Sequence, residues 1–206
     1  MANRTEGVTE KLLDSALEEF RTCGYEKASL RHIAEKAGSS KGAIYIRYPD
    51  KRSLFKAIVD PVIDQFCQIL EGLLNGFGDL TPDEQKNQIY SYANKGFDGL
   101  LDFVYENMDV LKLIIAGGEN EVSQAFVHRI ADIDCQATIR FIESTDNDAL
   151  ISGGLSKPLI HMLSSGFYSC FFEVILHDMP REEAKENWDK IIVFYREGWK
   201  RLLGNT

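Results

Sequence analysis

Residues 29–52 read Ser-Leu-Arg-His-Ile-Ala-Glu-Lys-Ala-Gly-Ser-Ser-Lys-Gly-Ala-Ile-Tyr-Ile-Arg-Tyr-Pro-Asp-Lys-Arg. The stretch predicts a helix, a glycine turn, a second short helix and the start of a third. Ser29 is a natural N-cap, because its hydroxyl accepts from a backbone N–H that the first turn leaves unpaired. Leu30, Ile33, Ala34 and Ala37 then recur at helical spacing and make one apolar face. Gly38 supplies the left-handed residue that closes such a helix, and Ser39 or Ser40 caps the next. In that second helix Ile44 and Tyr48 lie four apart and face inward. Lys41, Gly42, Tyr45 and Ile46 fall on the opposite face, free to meet something else. A helix-turn-helix presents a recognition helix to the DNA major groove in this way.

Charge supports the reading. The chain is acidic overall, with formal net charge −9, which on its own argues against nucleic acid. Between Lys27 and Lys56, however, stand Lys27, Arg31, Lys36, Lys41, Arg47, Lys51, Arg52 and Lys56 against Glu35 and Asp50 only. The local balance is +6, so the remainder of the chain carries −15. A basic patch at one end of an acidic body suits phosphate contact there and nowhere else.

At these residues the sequence resembles the TetR family of bacterial transcriptional regulators. The resemblance rests on Ser29, Ile33-Ala34, Ala37-Gly38, Ser40, Gly42, Tyr45, Tyr48 and Lys51, a combination that a generic helix-turn-helix does not require. It covers about the first quarter of the chain. Ser39 departs from the valine often found there, and Ala43 and Ile46 occupy variable, base-facing positions. The resemblance implies a homodimer, more a repressor than an activator, that binds a palindromic site on double-stranded DNA. In it Lys41, Arg47 and Lys51 hold phosphates or bases, Tyr45 touches the backbone through its hydroxyl, and Gly42 permits close approach. Ser29, Ser39 and Ser40 offer hydroxyl or helix-start contacts, and Arg31, Ala43 and Ile46 complete the expected DNA-binding set.

With 206 residues, 44% hydrophobic and 27% charged, the chain is long enough to bury a real core and ordinary in make-up for a globular protein. Its first residues hold no apolar run, so no signal peptide is expected. Cys23, Cys67, Cys135 and Cys170 are widely spaced, as reduced thiols of a cytoplasmic protein are. Pro158 to Leu176 approaches membrane-spanning length, but His161 and Glu173 lie inside it, and a helix buried on two faces explains it better; no membrane partner is expected.

The fold class is all-α, with about nine helices: a three-helix head over residues 1–49 and a helical effector-binding and dimerisation domain over residues 50–206. Leu12, Leu13, Ala16, Leu17 and Phe20 make a first amphipathic helix that Gly24 closes. Asp50 caps a fourth helix with Pro61 inside it, running to about Leu74, and Asn75–Asp79 reads as a break. Thr81-Pro82-Asp83-Glu84 restarts the chain with a cap, a proline at the first position and an acid at the third. That helix extends to about Asn107, a short one to Ala116, and Gly117-Gly118 interrupts. Further helices are expected over about 119–144, 156–178 and 180–203, with a polar loop over 145–155.

Enzyme signals are poor: the chain has no glycine-rich phosphate loop, no nucleophile elbow and no H-E-x-x-H. Neither a cofactor nor a metal is expected. His128, Asp132 and Cys135 share a helix face and are ligand types, but chance placement is the plainer explanation. Dense aromatics among small residues suggest an apolar cavity between helices, and Phe97, Leu101, Tyr105, Phe126, Phe167 and Phe171 are its candidate lining. Glu173 would favour cationic or donor-bearing ligands. A small apolar or amphipathic effector there would alter the spacing of two heads. The expected dimer face is formed by Ser165, Ser169 and Phe172 with Trp188, Ile192, Tyr195 and Trp199 of the final stripe. The rival reading is a helical ligand-binding or adaptor protein whose basic head contacts protein.

Overall fold

A computed structural model describes the backbone of residues 2–116 and 120–204, and side chains over the same range except residues 2–7, 90 and 120. Every regular element among the described residues is a helix: α1 (Ala2–Lys27), α2 (Leu30–Lys36), α3 (Lys41–Arg47), α4 (Lys51–Gly78), α5 (Pro82–Glu106), α6 (Met108–Ala116), α7 (Asn120–Ser144), α8 (Lys157–Leu176) and α9 (Arg181–Leu203). The expected Gly117-Gly118 interruption lies outside the described residues. The chain divides into two compact units, one of Met1–Asp64 with Asn107–Ser123 and one of Gln65–Glu106 with Gln124–Thr206. The first unit thus holds more than the head expected over residues 1–49: it includes the beginning of α4 and all of α6.

In the first unit, Leu12, Ala16 and Phe20 of α1 are buried with Ile33 and Ala34 of α2, Ile44 of α3 and Leu54, Phe55 and Val59 of α4. Phe55 meets Phe20 edge-on at 5.2 Å and Tyr25 at 5.1 Å between ring centres. Gly24 breaks α1 with φ 74°, in the left-handed region that costs a side-chain-bearing residue energy. Helix α6 packs on α1, and Arg21 pairs with Asp109 at 2.7 Å.

In the second unit α4 does not stop at Leu74. It continues through Asn75, Gly76 and Phe77 to Gly78, although each glycine inside a helix costs about 1 kcal/mol relative to alanine. Tertiary contacts offset that cost. Phe77 packs on Tyr92 and Phe141 at 5.4 and 5.8 Å. A Cβ on Gly76 would lie 2.5 Å from the Tyr92 hydroxyl, so glycine leaves room for the tip of that side chain. The buried Gln85 side chain donates from Nε2 to the carbonyls of Phe77, Gly78 and Leu80 at 3.3, 3.1 and 3.0 Å. Phe77 and Gly78 lie in the last turn of α4, where carbonyls lack intrahelical partners, and Leu80 is in the turn that follows. Ser144 Oγ in turn donates to Gln85 Oε1 at 2.8 Å. The restart at α5 is a reciprocal capping box: Thr81 N–H donates to Glu84 Oε2 at 2.9 Å, and Glu84 N–H to Thr81 Oγ1 at 3.4 Å.

Aromatic side chains form the centre of this unit. Phe66, Phe126, Phe171, Phe172 and Trp188 are almost fully buried, with Phe66 5.4 Å from Phe126 and Trp188 4.9 Å from Phe171. Helix α8 is capped by Ser156, whose Oγ accepts from Leu159 N–H at 3.3 Å. It is long and apolar enough to cross a membrane, yet it buries Ile160, Ser164, Tyr168, Phe171, Phe172, Val174 and Ile175 inside the unit. The 145–155 loop is tied down by Asn147 Nδ2, which donates to the Leu203 carbonyl at 2.9 Å.

Candidate nucleic-acid interface and ligand cavity

The recognition element is built from two capped helices and one left-handed glycine. Ser29 Oγ accepts from His32 N–H at 3.4 Å, and Ser40 Oγ from Ala43 N–H at 3.1 Å. Gly38 takes φ 63°, and Ser39 N–H donates to the Ala34 carbonyl at 2.8 Å, which closes α2 and turns the chain into α3. Ile44 anchors α3 with no exposed surface, whereas Ile46 is 84% exposed and Tyr45 45%. Lys41 and Gly42 are exposed beside them, and the Lys41 ammonium sits 5.6 Å from the Tyr45 ring centre. A Cβ on Gly42 would meet only Ser40 Oγ, at 3.8 Å, so this face is open to an approaching backbone.

Three expected contacts are set differently. Arg47 donates from Nε to Thr9 Oγ1 at 3.3 Å and from a terminal nitrogen to the Ala43 carbonyl at 3.2 Å. It therefore fastens the end of α3 to α1. Lys51 donates to the Glu26 carbonyl at 2.9 Å and lies 4.8 Å over the Tyr25 ring, closing the broken end of α1. Arg31 pairs with Glu35 at 2.8 Å, one turn along α2; the pairing holds the guanidinium charged and the Glu35 carboxyl below its usual range.

The residue that positions the element is Glu19 of α1. Buried to 7% exposure, it accepts from Ser29 N–H at 3.1 Å and from His32 Nδ1 at 2.7 Å. One carboxylate thus takes two donors at the start of α2. An acid on the helix face next to Ala16 and Phe20 was the only sequence sign of it.

The second unit holds a partly open cavity of about 200 Å³ lined mainly by apolar side chains of α4, α5, α7, α8 and α9. Phe97 and Phe167 line it as expected, joined by Leu73, Tyr92, Phe141, Tyr195 and Trp199. Four of the expected lining residues do not: Leu101, Phe126 and Phe171 are core, and the Tyr105 hydroxyl donates to the Met179 carbonyl at 2.6 Å. Glu173 is also elsewhere, exposed on α8 and 3.1 Å from His177. The carboxylate in the cavity wall is Asp134. It accepts from Ser164 Oγ at 2.6 Å and Tyr168 Oη at 3.3 Å, and burial raises its pKa against those two hydroxyls, which lower it. Its carboxylate in turn helps burial hold the Tyr168 phenol well above its usual range.

The expected partner face also changes. Phe172, Trp188 and Ile192 are consumed by the unit's own core, and Tyr195 and Trp199 line the cavity. The apolar side chains left uncovered on α8 and α9 are Met162, Leu176, Val193 and Phe194, with Ser169 exposed between them and Ser165 half-buried. The group of possible metal ligands differs by one member from the expected one. Cys135 turns to the Lys157 carbonyl, and His161 of α8 joins His128 and Asp132, their ligand atoms within 4.8 Å of one another.

Comparison with known proteins agrees with this geometry. Residues 12–58 match the family model described as bacterial regulatory proteins, tetR family. The HTH-type transcriptional regulator YvdT of Bacillus subtilis is 33% identical over 76 residues, 37% of this chain and 39% of that protein. The HTH-type transcriptional repressor ComR of Escherichia coli is 37% identical over 55 residues, 27% of this chain and 26% of that one. The chain thus spans well under half the length of the curated relatives it matches. A TetR-family regulator from Mesorhizobium loti has the same fold over 93% of this chain and 96% of its own, with TM-score 0.61 and 17% identity. Residues 12–58 thus carry the sequence of a tetR-family head, and the chain shares over 93% of its length the fold of the Mesorhizobium loti protein.

Proposed function

We propose that this chain is a ligand-responsive transcriptional repressor, active in the cytoplasm as a homodimer and working by binding, with no catalytic step. The head docks α3 in the major groove of a palindromic operator. The observation that carries this reading is the face of α3: Lys41, Gly42, Tyr45 and Ile46 stand exposed on a helix that Ile44 pins from behind. The exposed Ile46 side chain can meet a thymine methyl in the major groove. Ser29, Arg31, Ser39, Ser40 and Ala43 form the rim that meets phosphate or sugar, with Lys41 as the free ammonium. Arg47 and Lys51 keep the platform rigid.

A second copy of the chain covers Met162, Leu176, Val193 and Phe194, which places two heads on one site by two-fold symmetry. A small apolar or amphipathic effector fills the cavity and biases the dimer away from the operator spacing. The test is selection from random duplexes followed by affinity measurement across salt. A palindromic consensus with steep salt dependence is expected. Equal binding to all sequences, or none, would overturn the operator reading.

A further inference from the structure

The cavity is apolar on almost every side and carries a carboxylate in one wall. Asp134 is closely packed by protein, keeps part of its surface accessible and is one of the residues that line the cavity. Ser164 and Tyr168 each donate one hydrogen bond to it. A carboxylate accepts about four, so acceptor capacity is left over on a residue that lines the cavity. No basic side chain pairs with Asp134 among the described residues: only the two hydroxyls favour its charged form. The Arg196 guanidinium lines the same cavity but pairs with Glu197 at 2.9 Å. An uncompensated carboxylate in an apolar wall is costly to keep, and the free energy is recovered only when a donor or a cation enters.

We propose that the effector of this regulator is a small organic cation, a compact apolar or aromatic body bearing one protonated amine, and that Asp134 is the residue that selects it. The inference rests on the effector reading above. The ammonium docks on the cavity-side oxygens of Asp134 in a charge-assisted hydrogen bond, roughly twice as strong as a neutral one. The apolar body lies against Phe97, Phe141, Phe167 and Trp199. Aromatic faces beside the carboxylate add cation–π attraction. A carboxylate-bearing ligand of the same shape is excluded by like charge. The burial that raises the Asp134 pKa is relieved by the same ammonium, so binding holds the side chain ionised.

The test uses three probes of one shape: 4-phenylbutylamine, 4-phenylbutan-1-ol and 4-phenylbutyrate. Calorimetry on the wild-type dimer should rank amine over alcohol by at least tenfold, with the carboxylate weakest. In Asp134→Asn, whose amide oxygen still accepts from one of the two hydroxyls and whose NH2 can donate to the other hydroxyl oxygen, the amine should fall to the alcohol's affinity while the alcohol is unchanged. Amine and alcohol binding equally to wild type would overturn the inference and leave the cavity as the effector site. None of the three binding would overturn both. A preference for amine that persists in Asp134→Asn would remove Asp134 from the role, and the wild-type ranking stands as a test even if the variant fails to fold.

Discussion

Replacing Glu19 with alanine should loosen the recognition element although Glu19 itself is not among the residues proposed to meet DNA. The structure sets the size of the effect. Glu19 is 7% exposed and receives Ser29 N–H at 3.1 Å and His32 Nδ1 at 2.7 Å. Hydrogen bonds to a charged group contribute about 1.5–3 kcal/mol each when shielded. The His32 ring is 64% exposed, so its bond belongs at or below the bottom of that range, with water replacing part of it. The Ser29 N–H bond is the better shielded, and the two together give about 2–3 kcal/mol for Glu19→Ala. For a chain of this length each kcal/mol lowers Tm by about 2–4 °C, which predicts a fall of about 4–12 °C. Glu19→Gln keeps one acceptor and should lose about half as much. Differential scanning calorimetry gives the stability, and fluorescence anisotropy on the selected operator gives the function. Operator affinity should fall in step with stability, because α2 and α3 lose their tie to α1. A Tm and an affinity both unchanged in Glu19→Ala would refute the claim that this carboxylate positions the helix-turn-helix.

Ile46→Gln should leave stability within about 0.5 kcal/mol of wild type, as exposed substitutions do, while changing the sequence recovered by selection; an identical consensus would show that Ile46 reads no base. Lys41→Ala should lower the slope of log affinity against log salt by about 1 with no loss of Tm. Lys51→Ala should cost about 1 kcal/mol of stability through its cation–π contact and the Glu26 carbonyl, so thermal melting separates the two lysines. Phe194→Glu should give a folded monomer in sedimentation, since Phe194 is 75% exposed, whereas Phe172→Glu should unfold the second unit by burying an unpaired charge.

The parts of this structure legible in the sequence are the ones decided within a few residues. Ser29, Gly38, Ser40 and the Thr81–Glu84 box act on neighbours three or four positions away, so their residue types announce them. The extension of α4 to Gly78 was hidden because Gln85 supplies its terminal hydrogen bonds from beyond the turn, and local propensity at Asn75-Gly76 points the other way. Arg47 and Lys51 looked like free cations because their partners, Thr9 and Glu26, lie 38 and 25 positions back. In the second unit, helical periodicity marks Phe97, Phe126, Phe167 and Phe171 alike as inward. Whether an inward ring meets another ring or empty space depends on how five helices pack, and so Phe126 and Phe171 went to the core while Phe97 and Phe167 reached the cavity.

On the proposed function, the separation of duties on α3 bears on how operator preference can change. Ile44 and Arg47 fasten the helix, and Ile46 stands on its other side almost fully exposed, beside a Tyr45 whose ring meets the Lys41 ammonium. Mutations at the outward positions therefore carry almost no folding penalty. A lineage can drift across operator sequences one substitution at a time, each intermediate a folded protein. An engineer can randomise Gly42, Ala43, Tyr45 and Ile46 as one library and expect most members to express. Specificity in this protein is cheap to revise because stability is kept on the other face of the same helix.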